Sequence, residues 1–142
     1  MRAALAVAAL AAVGLGVWTL AAQAGPDGAA LYAEHCASCH GAALEGAEDW
    51  HRPMEDGSLL PPPHDASGHT WHHSDDDLRA YVRLGGAEAL AQAGVPDFPS
   101  NMPAFGDVLD DAEIDAVLGF IKESWPEELR EAQAERTRRD AR

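Results

Sequence analysis

Three stretches of the chain place apolar residues at helical spacing. The last is the clearest: Ile114, Val117, Leu118 and Ile121 follow the i, i+3, i+4, i+7 pattern, with Phe120 on a neighbouring stripe. Asp110 stands as its N-cap, Glu113 answers three residues on, and Pro126 stops the helix near Ser124. In the middle, Ser74-Asp75-Asp76-Asp77 opens a second helix as a capping box. Three carboxylates there also suit the helix dipole. Its apolar face is Leu78, Tyr81, Val82 and Leu84, and Gly85-Gly86 ends it. The first, capped by Asp27, runs over about Gly28 to Cys36 with Leu31, Tyr32 and His35 on one face. Ala87 to Ala93 reads as one more short helix, and Pro96 to Asn101 as a loop. Residues 127–142 carry acids first and arginines last, which favours a helix, but so little apolar surface that they fall outside the expected core.

Two stretches break this pattern. Residues 41–73 hold no sustained period and carry Gly46, Pro53, Gly57, Gly68 and Pro61-Pro62-Pro63. A structureless run that long is unusual inside a compact domain. Residues 1–24 are instead apolar throughout from Ala3 to Leu20, behind a single Arg2, and end in the small-x-small site Ala22-Gln23-Ala24. That is a secretory signal. The run is also close to the roughly 20 residues that span a bilayer, so an uncleaved anchor is the alternative. The expected organisation is therefore a segment 1–24, a domain 25–125 and a charged helical extension 126–142.

The formal charge of −14 on 142 residues excludes nucleic-acid binding, which needs a basic stripe. It suits attraction to basic partner surfaces, although plain solubility explains it equally well.

The chemistry is concentrated in Cys36-Ala37-Ser38-Cys39-His40, which holds the chain's only two cysteines. Cys-x-x-Cys-His is a c-type haem attachment pattern. Two thiols three positions apart reach the two vinyl groups on one porphyrin edge, and the next residue presents an imidazole to the iron. A haem also accounts for residues 41–73: an irregular loop wraps a large apolar plate and need not pack on itself, with Trp50, Leu59 and Leu60 as wall residues. The carbonyls of Pro61, Pro62 and Pro63 are free acceptors. Either one of them takes the proton on the far nitrogen of His40, or the prolines form a stiff surface turn. For the sixth ligand, Met102-Pro103 offers a soft thioether beside a stiffened backbone. His64, His69, His72, His73 and Met54 compete with it. The cluster His69-Thr70-Trp71-His72-His73 admits three readings: a zinc or copper site, a propionate shell from Trp71 and a histidine such as His69, or a solvated loop.

Together His35 to Gly41, Met102-Pro103-Ala104-Phe105-Gly106 and the helix after Asp110 resemble a class I mono-haem cytochrome c, over about residues 25–125. The resemblance implies an all-α, cytochrome c-like fold of three to five short helices around one covalent haem c. It implies iron held by His40 and Met102 and a propionate hydrogen bond from Trp71; Tyr32, Pro61 and His69 complete the residues expected about the pocket and propionates. It also implies a helix crossing at Gly28 with Phe120 and Tyr32 as its aromatic contact. The loop at 51–73 and the extension depart from the pattern. The expected function is a periplasmic, non-enzymatic electron carrier serving redox proteins with basic docking surfaces, membrane-bound only if residues 1–24 are retained. The alternatives are an electron-transfer subunit of a larger oxidoreductase, a peroxidase-like haem enzyme with an open distal site, and a haem-free metal-delivery protein.

Overall fold

The structure, a computed structural model, describes residues 25–142; residues 1–24, expected to be a signal or an anchor, lie outside the described residues. No helix among the described residues is long and apolar enough to cross a membrane. The fold is all-α: among the described residues the domain holds five short helices, α1 Gly28–His35, α2 Ala37–His40, α3 Asp75–Leu84, α4 Gly86–Gln92 and α5 Asp111–Glu123, and the extension is a sixth, α6 Glu127–Asp140. A 3-10 turn covers Thr70–His72. Among the described residues there is no strand, only an isolated bridge between Pro53 and Leu59.

The caps act where they were expected. Asp27 accepts from the amides of Ala29 and Ala30, both at 3.1 Å. Ser74 with Asp77, and Asp110 with Glu113, each close a reciprocal capping box. These bonds satisfy amides that the first helical turn leaves without partners. The first predicted helix stops one residue early. Cys36 departs from helical φ, and α2 begins as a separate turn.

The core is the crossing of α1 over α5, the most closely packed pair of helices. Gly28 makes it possible, because a Cβ there would run into the Ala116 carbonyl and come within 3.2 Å of Phe120 Cβ. Phe120 reaches across to Tyr32, with ring centroids 5.3 Å apart. Ile114, Val117, Leu118 and Ile121 are all buried, joined by Leu78, Val82, Leu109 and Trp125.

The extension corrects the sequence reading, which left it outside the core. α6 lies against the turn at Thr70–His72, Leu129 packs on the core cluster, and Gln133 is 3 % exposed. The Gln133 amide donates to the His73 carbonyl at 3.2 Å and to Asp75 Oδ1 at 2.6 Å. Thr137 Oγ1 accepts from the Asp75 amide at 3.1 Å. A polar residue buried with full hydrogen bonding adds nothing to an apolar count, which is why the pattern missed it. Gln133→Ala should cost about 1–3 kcal/mol, since it strips partners from a carbonyl and a carboxylate. A thermal melt checks this, with the exposed Gln92→Ala, whose side chain bonds only Glu88, as the near-silent control.

Candidate metal centre

α1 and α2 deliver the pentapeptide. The Cys36 amide bonds back to the Tyr32 carbonyl at 2.9 Å, and the amides of Cys39 and His40 both reach the Cys36 carbonyl, at 3.1 and 2.9 Å. Both thiols are free; Cys36 is half-buried and Cys39 exposed. Burial, and then the neighbouring Cys39, push the Cys36 thiol up to about 11, so it is protonated at neutral pH. Tyr32 is buried at 1 % exposure and donates its hydroxyl to the Gly41 carbonyl at 2.9 Å. That bond pins the chain as it leaves the motif.

His40 is buried, and its Nδ1 lies 2.8 Å from the Pro62 carbonyl oxygen. A carbonyl only accepts, so Nδ1 carries the proton and Nε2 keeps its lone pair. Burial lowers the His40 pKa, partly offset by the Pro62 bond, which leaves the ring in its neutral, ligating form. Of the three prolines, Pro62 therefore fills the role. Pro61, expected at the pocket, has its carbonyl taken by the Ala47 amide at 2.9 Å, and Pro63 accepts weakly from Thr70 Oγ1 at 3.4 Å.

The loop that sets these carbonyls packs on itself as well, which the expectation for residues 41–73 did not require. His64 and Asp65 donate to the Leu44 carbonyl at 2.8 and 3.2 Å, and Gly46 donates to His40 at 2.8 Å. Gly46, at φ +65°, sits where a Cβ would strike the Pro63 backbone. Leu44 adopts φ 67° and is buried. Trp50 stacks on His69, centroids 5.1 Å and planes 11° apart, and Leu59 is exposed.

The histidines separate. His64 lies face to face with His40, centroids 4.0 Å and planes 26° apart. Two ligands on opposite sides of one iron point at each other end-on, so His64 is no candidate for the position opposite His40. His69 is taken up by Trp50, His72 stacks on Trp71 at 3.6 Å, and His73 stands edge-on to Tyr81. Among the described residues no group of three His, Cys, Asp or Glu is gathered as a metal ion would need. The Trp71 indole N–H, expected at a propionate, donates to the Gly68 carbonyl at 3.1 Å.

Met102 is half-buried and packs against the core cluster. Its loop rests on the junction of α3 and α4. Gly86 donates to the Met102 carbonyl at 3.1 Å, Phe105 to Val82 at 2.9 Å and Gly106 to Arg83 at 3.0 Å. Gly85, at φ +79°, admits this approach: a Cβ would sit 2.9 Å from the Met102 carbonyl oxygen. Met54, by contrast, is 45 % exposed and its sulfur accepts from Ser58 at 3.6 Å.

Sequence reasoning missed His64 as a neighbour of His40, and it missed Trp125. The Trp125 indole is 2 % exposed and donates to the His64 carbonyl at 2.7 Å. A lone tryptophan between the last apolar stripe and Pro126 was the available signal.

The donor set fits a covalently held haem: two free thiols one turn apart, and an imidazole whose proton is committed to Pro62 so that its other nitrogen is free to bind iron. A family model described as Cytochrome c matches residues 26–125. No curated protein and no solved structure is matched.

Proposed function

The chain belongs to the cytochrome c family, and from that premise we propose that it is an exported carrier of single electrons whose haem iron is held between His40 Nε2 and Met102 Sδ. Its cofactor is haem c, attached through Cys36 and Cys39. When bound, the haem iron supplies the one-electron ferric–ferrous couple. The protein does the rest. The thiols fix one porphyrin edge, Pro62 holds the His40 proton and directs Nε2, and the Met102 loop is anchored on Gly85-Gly86. A thioether ligand favours the reduced state and raises the potential.

The observation that carries the reading is the Nδ1 contact of His40 with Pro62, next to two free thiols. Export rests on the signal-like pattern of residues 1–24, which supports a periplasmic domain, free after cleavage or held at the inner membrane if they are retained. The charge of −14 favours redox partners with basic docking surfaces and attracts them over distance. The test is a spectrum of the purified exported protein. Haem should survive denaturing electrophoresis, and the ferric form should show the long-wavelength band of methionine sulfur bonded to iron. Haem without that band would overturn the Met102 assignment.

A further inference from the structure

We infer that His64 is a positioning residue for His40: its ring lies flat against the His40 imidazole and sets the plane in which that imidazole meets the iron. The inference rests on the haem reading above. The Pro62 bond alone leaves the plane loose, because a carbonyl accepts over a broad cone. A second flat ring 4.0 Å away and 26° from parallel blocks rotation of the first.

His64 is itself held from three directions. Its Nδ1 is 2.9 Å from Thr70 Oγ1, and Thr70 in turn points its hydroxyl at the Pro63 carbonyl. Its amide bonds Leu44 and its carbonyl takes the Trp125 indole. With the hydroxyl proton on Pro63, His64 Nδ1–H is the donor to Thr70. Tyr32 stands edge-on at 6.4 Å. The tryptophan after α5 thus acts through His64 on the iron ligand, with no contact to either thiol required.

A space-filling role and a positioning role separate on shape. His64→Phe keeps a flat ring; His64→Leu keeps apolar bulk without one. The readout is the pattern of paramagnetically shifted haem-methyl resonances in the ferric full-length protein, which follows the plane of the axial imidazole, together with the reduction potential. His64→Leu should reorder the methyl pattern and shift the potential, and His64→Phe should restore the wild-type pattern. An unchanged pattern in His64→Leu, or the same change in both variants, overturns the inference. If His64→Leu fails to accumulate, Thr70→Val releases the ring from its hydrogen bond and should alter the pattern in the same sense; no alteration overturns it equally. Absence of the methionine–iron band in the wild type would instead strike the Met102 assignment, while the pattern still reports on His40.

Discussion

Val117→Asp should abolish cooperative folding of the domain while leaving haem on the chain. Val117 is 1 % exposed on the face of α5 that meets α1, among Ile114, Leu118 and Ile121. A carboxylate there has no cation to pair with inside the apolar cluster. Leaving a charge uncompensated in the interior costs roughly 3–5 kcal/mol, against a total stability of about 5–15 kcal/mol for a domain. The thioethers to Cys36 and Cys39 do not depend on the fold once formed, so colour and folding should part company. Circular dichroism and a thermal melt would show a broad or absent transition, with haem still present after denaturing electrophoresis. Gly119 on the same helix is the contrast: a Cβ there meets nothing within 4 Å, so Gly119→Ala should stabilise by about 0.5–1 kcal/mol. Near-wild-type melting of Val117→Asp would mean that this face of α5 does not bear the crossing.

Replacing Met102 should have the largest effect on the redox chemistry. On the proposed His40/Met102 ligation, Met102→His keeps two strong ligands and a low-spin iron but lowers the potential, since imidazole favours the ferric state more than thioether does. Axial ligands set haem potentials over about 0.8 V, so the drop should be easily measured by titration. Met102→Ala should leave the position to water, remove the methionine–iron band and admit external ligands such as cyanide or azide. The proximal side should be untouched, because Pro62 and His64 are the residues against His40, and Trp125 holds only the His64 carbonyl. An unchanged ferric spectrum and potential in both variants would show that another residue, such as His69, His73 or Met54, binds the iron.

Much of this frame was legible because it is local. Asp27, Ser74 and Asp110 announce their helices within four residues of chain, and the α5 stripe buries as its periodicity requires. The Gly28–Phe120 crossing followed from family resemblance and then proved to be steric. What stayed hidden depends on contacts between distant segments. Which of Pro61, Pro62 and Pro63 faces His40 is decided by how residues 61–68 lace onto Leu44 and Gly46, and no local pattern reports that. Leu44 and Asp49 adopt positive φ without being glycine, so the turns they make carry no composition signal. α6 is held through Gln133 and Thr137, whose polarity reads as exposure until the partners on His73 and Asp75 are seen.

The α1–α5 crossing joins the two ends of the folded domain, and that has a kinetic consequence. α1, which leads into the cysteines, is made before the other described helices and α5, which covers it, nearly last, so the central contacts span most of the domain. Contacts of such separation form late and slowly, after the loop-closure entropy has been met. Until α5 emerges, α1 has nothing to pack against, and an isolated eight-residue helix is not stable in water. Cys36, half-buried in the finished protein, is therefore open throughout synthesis. The topology leaves a window in which the Cys36 thiol is as reachable as that of Cys39, which stays exposed in the finished protein, and it closes only when α5 arrives.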